Sequence, residues 1–461
     1  MRIARKTALL GIVCCLAPSV AEAAGFYVPD LGARALGRGG AFTARADDLT
    51  AAWYNPAGLA DQGGTRFSTD IGFVKQSVNF QRTDDQGTPI GFPVGNKSAP
   101  FIIPFIGLSS DFGLKDFTFA AAIYGPYAGK YDYGQGSQRY SLMDSSVWEA
   151  LYQVSVGWRP TKWLAVGASL QIVDVRARQK LAIAALAGDE GTSDAKIEFD
   201  VNDHLTPNAH FGFIVSPTPW LDIGASIKPP MPVHAEGVLT VDQADLMRLR
   251  QQPGLGNLAI NGDQVGVDFT LPIVVRSGVR FKQPRWDVEA DFVWERWTGF
   301  SKLEVRPKDI TFSLGTSTPQ LLTPIVQERG YGDAWSIRFG SDIEILPNRL
   351  TGRLGYYYET SAIPTQSLNV SAVDMAKHGF TLGLSAKFGW FGFSVAYAHV
   401  QLETATVTTS TSRQINLTYI AFDMPNSAPT VGSGIYKSGY DILSFGVSVD
   451  IDSLAGWTRR K

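Results

Sequence analysis

The sequence predicts an all-β protein: an antiparallel transmembrane β-barrel of fourteen strands with an N-terminal, partly helical plug (a hatch) in its lumen. Three observations carry this prediction. Segments in which apolar and polar residues alternate recur along most of the chain, and the links between them are alternately long and short. A secretion signal comes first, and no later run of about 18 apolar residues could form a membrane-spanning helix.

The first 23 residues, or 24, are predicted to be a signal peptide. A basic start is followed by a short apolar stretch over residues 8–17 and by the small-x-small pattern of residues 21–23. Cys14 and Cys15, the two cysteines of the sequence, both lie within this signal. The mature chain is therefore expected to contain no disulfide and no cysteine metal site.

Charge and composition argue against two broad classes of protein. The formal net charge is −2 over 461 residues, whereas a nucleic-acid-binding protein would present a basic surface. The sequence has no Gly-x-Ser-x-Gly elbow and no His-Glu-x-x-His site, and its five histidines are scattered. We therefore predict that the protein is not an enzyme, that it has no cofactor or metal, and that it binds no nucleic acid.

The alternating segments have one apolar and one polar face, as successive side chains of a strand point to opposite faces. In one segment the apolar face reads Trp148, Ala150, Tyr152, Val154, Val156 and Trp158. In another it reads Trp286, Val288, Ala290, Phe292 and Trp294, against Asp287, Glu289, Asp291 and Glu295. Aromatic residues at the ends of these faces favour interfacial girdles of a membrane barrel over the buried face of a soluble sandwich.

The lengths of the links set the topology. Links after even-numbered strands are tight and links after odd-numbered strands are long, which is the pattern of periplasmic turns and outer loops. An even strand count returns the C-terminus to the periplasm. The predicted strands cover residues 65–80, 100–110, 117–127, 148–159, 162–180, 196–215, 219–240, 263–282, 285–306, 333–346, 349–360, 376–388, 390–406 and 438–452.

A barrel of this size needs a plug. About eight strands are filled by their own side chains, whereas sixteen leave an aqueous channel, so fourteen should leak unless something fills the lumen. The chain divides accordingly into a hatch over residues 24–64, a barrel over 65–452 and a basic C-terminal tail over 453–461. Within the hatch, residues 41–54 are compatible with a helix that Pro56 would end.

The hatch segment carries a specific pattern. It reads Ala35-Leu36-Gly37-Arg38, then Ala46-Asp47-Asp48, then Asn55-Pro56-Ala57-Gly58-Leu59. This pattern resembles the N-terminal segment of the FadL/TodX family, and weaker similarities extend over nearly the whole mature chain.

The resemblance implies passive transport of hydrophobic compounds across the bacterial outer membrane. Long-chain fatty acids or related lipophilic or aromatic molecules would be the ligands, with lateral release into the membrane. The residues expected to form the ligand-binding and plug site are Phe26, Tyr27, Asn55, Pro56, Ala57 and Gly58.

The resemblance also implies a kink in the third strand through which ligand leaves sideways. The residues that match are Gly125 and Pro126, and proline and glycine both weaken strand pairing. The alternative is that this dipeptide merely ends the strand at the outer loop.

In the family the third and fourth outer loops form a hydrophobic groove that captures ligand. The matching residues are Leu181, Ile183, Leu186, Leu246, Met247 and Leu249. The alternative is that these loops only pack against each other.

Four arginines should face the lumen by alternation, where one could pair a ligand carboxylate or each could pair lumen acids such as Asp287, Glu289 or Glu344. These arginines are Arg276, Arg280, Arg338 and Arg353. The expected partners are a hydrophobic small molecule, outer-membrane lipids and lipopolysaccharide, with the protein a monomer. Two other functions stay open: a general diffusion porin for polar solutes, and a surface-binding protein or phage receptor.

Overall fold

The computed structural model of the protein describes residues 30–458 except for short gaps. The gaps are residues 85, 127, 187–190, 254, 301, 314–318, 323, 329, 422–423 and 425–426. The predicted signal peptide lies outside the described residues, and so do Phe26 and Tyr27 of the predicted hatch.

Fourteen antiparallel strands form one closed barrel. Several consist of two segments separated by a short break. The first seven are β1 Arg66–Arg82, β2 Phe101–Ser110, β3 Phe117–Tyr124 with Ala128–Asp132, β4 Asp144–Thr161, β5 Leu164–Ala184, β6 Asp194–Thr218, and β7 Leu221–Lys228 with Met231–Val241. The second seven are β8 Gln264–Leu271 with Ile273–Gln283, β9 Trp286–Arg296 with Lys302–Pro307, β10 Ile325–Glu328 with Ala334–Leu346, β11 Leu350–Glu359, β12 Lys377–Phe388, β13 Phe391–Leu402 with Ala405–Val407, and β14 Gly434–Asp450.

The remaining elements are short. The α-helices are α1 Ala33–Leu36, α2 Ala51–Tyr54, α3 Gln243–Leu249, α4 Leu417–Ala421 and α5 Ile451–Thr458, and the 3-10 helices are Pro56–Asp61, Trp297–Phe300 and Thr365–Ser367. A short strand, Val94–Gly95, pairs with β1, and Ala259–Asn261, Thr311–Ser313 and Gln320–Leu321 form a small separate sheet in the outer loops. Among the described residues, no helix is both long and apolar enough to cross a bilayer.

Closure of the barrel comes from β1 and β14, which pair over their whole length. The register runs from Arg66 opposite Asp450 to Arg82 opposite Gly434. Closure matters because an open sheet edge in hydrocarbon would leave unpaired N–H and C=O groups that cost several kcal/mol each. The predicted fourteen-stranded barrel is therefore confirmed, with its tight turns at one end and its long loops at the other.

The two faces of the wall have the chemistry that the alternation predicted. On β9, Trp286 and Phe292 are exposed on the outer surface, whereas Asp287 and Asp291 between them are buried in the lumen. Aromatic side chains gather near the tight turns, where Phe117 of β3 stacks on Trp158 of β4 with ring centroids 5.7 Å apart. Such an apolar belt with aromatic rims is what a lipid environment selects.

Candidate functional site

The plug, residues 30–62, fills the inner part of the lumen, and almost all of its residues are buried. The predicted helix over 41–54 is wrong, because only α2, at its end, is α-helical. The N–H groups of Phe42 and Thr43 instead donate to Oδ2 of Asp291 on β9, each at 2.9 Å. This wall carboxylate accepts hydrogen bonds from both amides, so a turn forms where a helix was expected.

Arg38 joins the plug to three carboxylates of the wall. Its guanidinium lies 2.7 Å from Asp287, 3.1 Å from Glu289 and 2.6 Å from Asp342, and its side chain is completely buried. Arg45 of the plug binds Asp287 and Asp342 as well. Removing one member of such a buried network leaves an uncompensated charge, so separating the plug from these carboxylates would be costly.

A second buried network links the start of the plug to an outer loop. Arg338 on β10 lies 2.9 Å from Asp30 of the plug and 2.7 Å from Glu359 at the end of β11. Glu359 in turn lies 3.0 Å from Lys377, which lies 2.8 Å from Asp374 in the loop after β11. Burial raises the pKa of Asp30, in spite of its contact with Arg338.

The Ala46-Asp47-Asp48 motif forms ion pairs with another part of the plug. Arg34 in α1 lies 2.7 Å from Asp47 and 3.1 Å from Asp48. Burial alone would raise the pKa of Asp47, but Arg34 and Arg45 hold that pKa well below its usual value. These ion pairs therefore join α1, at the start of the plug, to the motif in its middle.

The Asn55-Pro56-Ala57-Gly58 segment joins the plug to β6. The Asn55 side chain accepts a 3.1 Å hydrogen bond from the Ala57 N–H, and its amide donates to the carbonyls of Thr43 at 2.9 Å and Phe213 at 3.0 Å. At Gly58 a Cβ would lie 2.1 Å from the carbonyl oxygen of Ala46. These residues lie against the wall rather than around the cavities described below, and their role in ligand binding stays a prediction.

Glycines on the inner face of the barrel let the plug approach the wall closely. At seven of them a Cβ would fall within 3.0 Å of a plug atom: Gly157, Gly167, Gly212, Gly224, Gly340, Gly355 and Gly383. They lie on seven different strands and so line the lumen around the plug. Sequence reasoning missed them, although glycines on the inward positions of alternating strands were the available signal.

An apolar cavity of about 1150 Å³, which includes space open to solvent, lies in the outer part of the lumen. Its lining includes Val147, Val175, Ala177, Phe199, Phe269 and Phe300. The polar groups among the described lining residues are uncharged: Tyr131, Tyr331, Ser145, Gln179 and Ser371. We call this space the main cavity.

A smaller cavity of about 420 Å³ lies further out, among the outer loops. All the residues that line it are apolar, and they include Ile183, Ile197, Leu239, Phe312 and Leu417. Ile415 lines both cavities, so they are neighbours. We call this second space the outer cavity.

Of the six outer-loop residues predicted to capture ligand, two line the cavities. Leu181 lines the main cavity and Ile183 lines the outer cavity. Leu246 and Leu249 are buried in α3, which the Asp242 side chain caps, and Met247 beside them is 58% exposed. Leu186 packs at the edge of the hydrophobic core. The contributions of Phe312 and Leu417, from the loops after β9 and β13, were not predicted, because contacts between separate loops leave no pattern in the sequence.

Strand β3 is interrupted where Gly125 and Pro126 were expected to kink it. It stops at Tyr124 and resumes at Ala128, still paired with β4. Among the described residues, which exclude Tyr127, pairing between β2 and β3 ends at Phe105 opposite Tyr124. The strand therefore continues past the dipeptide, which does not simply end it.

The lumen arginines have partners from the protein itself. Arg280 binds Asp222 and Asp287, and Arg353 binds Asp342, while Arg338 belongs to the network described above. Arg276 lies over the rings of Trp53 and Tyr54 in the plug, 5.6 and 5.5 Å from their centroids. Arg280, Arg338 and Arg353 are thus placed to neutralise wall or plug acids.

Comparison with known proteins gives a consistent result. The sequence profile of a family described as outer membrane protein transport protein (OMPP1/FadL/TodX) matches residues 14–436. No curated protein sequence matches the chain.

Solved structures share the fold at low sequence identity. A FadL homologue from Pseudomonas aeruginosa is 14% identical, with a TM-score of 0.75, covering 93% of this chain and 100% of that one. The toluene transporter TodX of Pseudomonas putida is 16% identical, with a TM-score of 0.63 and coverage of 94% and 100%. The toluene transporter TbuX of Ralstonia pickettii is 17% identical, with a TM-score of 0.62 and coverage of 91% and 98%.

Proposed function

Because the chain belongs to the OMPP1/FadL/TodX family of outer-membrane transport proteins, we propose that it carries hydrophobic compounds passively through the plugged barrel and releases them sideways into the membrane. Long-chain fatty acids and aromatic hydrocarbons are the ligand classes to be tested, since two relatives of the same fold are named as toluene transporters. The protein would act as a monomer among outer-membrane lipids and lipopolysaccharide.

The observation that carries this proposal is the main cavity above a firmly held plug. Its lining is apolar with a few uncharged polar groups, which favours a ligand that gains by leaving water. Each CH₂ group that leaves water gains about 0.8 kcal/mol, so an apolar cavity of this size would bind a hydrophobic ligand well and a polar solute poorly. The outer cavity, next to it, is a suitable first stop for a molecule arriving from outside.

The plug argues against a general diffusion porin. Porins are open aqueous channels, whereas here the lumen contains a buried segment that Arg38 and Asn55 bind to the wall. A hydrophobic molecule in the main cavity therefore needs either a movement of the plug or an opening in the wall.

The interruption of β3 supports release through the wall. Residues 101–104 of β2 pair with β1 but, among the described residues, form no ladder with β3, although the Gly125 N–H donates to the Pro104 carbonyl at 3.4 Å. Pro104 and Pro126 at this seam have no N–H group, so fewer donors are left without partners where the seam meets lipid. Gly129 and Val147, next to the seam, line the main cavity.

Two measurements test the proposal. Cells with and without the protein are given labelled oleate or labelled toluene, and the proposal expects faster initial uptake of at least one of them with the protein present. Purified protein in a planar bilayer is expected to pass little steady current. A large, steady current would instead indicate a porin, and equal uptake with and without the protein would contradict transport.

Lateral release is tested separately at the β2–β3 seam. Ile102 is exposed beside it, and Ile102→Cys can be labelled with pyrene maleimide, since the sequence has no cysteine beyond Cys14 and Cys15. Substituting Gly125 is a poorer choice, as a Cβ there would lie 2.5 Å from the carbonyl oxygen of Glu149. Slower uptake in the labelled protein supports release at this seam, and unchanged uptake counts against it.

A further inference from the structure

The wall has a second interruption, between β6 and β7. These strands pair from Phe211 opposite Ile227 towards the tight turn, and from Asn202 opposite Glu236 towards the outer loops. Between these two stretches, residues 203–210 of β6 and 228–235 of β7 form no ladder, although the structure describes every one of them. We call this interruption the β6–β7 seam.

The strand pairs on either side of this seam remain paired at the same level. On one side β5 and β6 remain paired at this level, as in Ile172 opposite Pro207, with one bulge. On the other side β7 pairs with β8, as in Met231 opposite Leu271. The gap is therefore local, because the strand pairs β5–β6 and β7–β8 on its two sides are intact.

Proline is unusually frequent along the seam. Four of the sixteen residues that face each other are prolines: Pro207, Pro229, Pro230 and Pro232. Proline has no N–H to donate, so strand pairing is disfavoured here and fewer donors face lipid without a partner.

Side chains satisfy further donors at the seam. Oδ2 of Asp203 accepts the N–H of His234 at 2.8 Å and the hydroxyl of Thr206 at 2.9 Å. Oδ1 of Asn208 accepts the N–H of Ala209 at 2.8 Å. The seam is thus a built feature, with local groups taking the place of the missing ladder.

The seam borders the main cavity on its inner side. Ala235 lies within the unpaired part of β7, and Val201 lies two residues beyond the unpaired part of β6, and both line the cavity. At the opposite end of the seam, Nδ1 of His210 lies 3.1 Å from the carbonyl oxygen of Ala52 in the plug. Lys228 lies 3.7 Å from the centroid of the Trp53 ring. The gap therefore opens where the cavity meets the plug.

The outer side of the seam carries exposed apolar side chains, together with His204 and His234, whose imidazoles contact Asp174 and Asp268. Leu205, in a left-handed conformation with φ +65°, is 75% exposed on it. Phe211 and Ile227, the last paired residues, are exposed on the lipid-facing surface, and Pro230 and Pro232 are exposed as well. A hydrophobic molecule crossing this seam would pass beside Leu205 and the exposed prolines.

We propose that the β6–β7 seam is a second lateral port, through which an uncharged or weakly polar hydrophobic compound passes between the main cavity and the bilayer. The inference rests on the proposed transport function. Strands β3 to β6 form one continuous panel with the two seams at its edges, and cavity-lining residues lie beside both, Gly129 near one and Ala235 in the other. One cavity thus has two exits, each bordered by prolines.

The port is tested by blocking each seam with pyrene maleimide attached to a single cysteine. Leu205→Cys places the label at the β6–β7 seam, and Ile102→Cys places it at the β2–β3 seam. Leu170→Cys is the matched control, because Leu170 is 69% exposed on the outer face of β5, where both neighbouring strands are paired. Labelled proteins are reconstituted into liposomes, and uptake of labelled toluene and oleate is measured.

The expected result is a partial loss of uptake with either label alone, a complete loss with both, and no loss with the label at residue 170. If the label at 205 changes nothing, alone or added to the label at 102, the port is refuted while transport stands. If the unlabelled protein does not transport either compound, the proposed function fails and the port fails with it.

A second measurement does not depend on a label. A photoactivatable diazirine alkane is added to the unmodified protein in liposomes, and its adducts are located by mass spectrometry. The port predicts adducts on residues 203–210 or 228–235 in addition to the main cavity. Adducts in the cavity and at the β2–β3 seam, with none on these two segments, would overturn it.

Discussion

The guanidinium of Arg38 in the plug lies 2.7 Å from a carboxylate oxygen of Asp287 on β9, and both side chains are shielded from solvent. The two residues are 249 positions apart in the sequence, so this contact exists only when the plug is seated in the finished barrel. Glu289 and Asp342 bind the same guanidinium, so one buried cluster joins the plug to the wall.

Replacing Arg38 by Gln should loosen the plug. The three wall carboxylates would lose a shared cation, and breaking a buried ion pair typically costs about 3–5 kcal/mol. We expect a lower unfolding temperature and a larger steady current in planar bilayers. Arg159→Gln is the control, because its partner Asp61 is largely exposed and such pairs contribute at most about 1 kcal/mol. Equal currents in the two variants would contradict the role of Arg38.

Gly167→Ala should displace the plug from the wall. A Cβ at this position would lie 2.2 Å from the carbonyl carbon of Pro56, and inserting atoms into a packed interior costs about 1–3 kcal/mol. We expect faster hydrogen exchange in residues 41–62. Gly72→Ala is the control, since its nearest neighbour would be Ile103 at an ordinary 3.7 Å. Similar exchange in both variants would show that the plug does not depend on this close approach.

Ala177→Phe should weaken ligand binding by filling part of the main cavity. We expect the affinity for a fluorescent fatty acid or for toluene to fall about tenfold, equivalent to about 1.4 kcal/mol, in a competition binding assay in detergent. Leu170→Phe adds a ring on the outer face of β5 and should leave affinity unchanged. An unchanged affinity for Ala177→Phe would place the ligand elsewhere.

The loop after β11 should be more stable in mild acid. Burial raises the pKa of Asp374 to about 7, against an ordinary value of 3.8, in spite of its contact with Lys377. The folded loop favours the protonated carboxyl, so this contribution to stability is complete below about pH 4 and is lost as the pH rises through 7.

Hydrogen exchange tests the pH dependence of this loop. Exchange in residues 361–376, corrected for the intrinsic rate, should be faster at pH 8 than at pH 6. Asp374→Asn should remove most of the difference. Equal protection of the unmodified loop at both pH values would contradict the effect.

The barrel was predictable from the sequence because each strand carries its own alternation of polar and apolar residues. Strand β9, with Trp286 and Phe292 facing out and Asp287 and Asp291 facing in, shows the pattern in a single segment. The place of the plug also followed, because a barrel of this width needs filling. Local patterns sufficed wherever the environment of a residue was set by its own strand.

Other features depended on contacts distant in the sequence. The turn at Phe42 and Thr43 depends on Asp291, nearly 250 residues away, so a local reading favoured a helix. The main cavity draws its lining from β3 to β9, from the break in β10 and from two outer loops, and no single segment marks it. The β6–β7 seam had a visible signal in Pro229, Pro230 and Pro232, yet β7 was predicted as one strand because alternation continues on both sides.

We expect this outer-membrane barrel to admit hydrophobic molecules while its plug excludes polar solutes and ions. The most direct test is the initial rate of labelled toluene and oleate uptake into cells that lack other hydrophobic-compound channels, with and without the protein. We expect a higher rate with the protein for at least one compound and a reduced gain with Ala177→Phe. Identical rates with and without the protein, for both compounds, would contradict it.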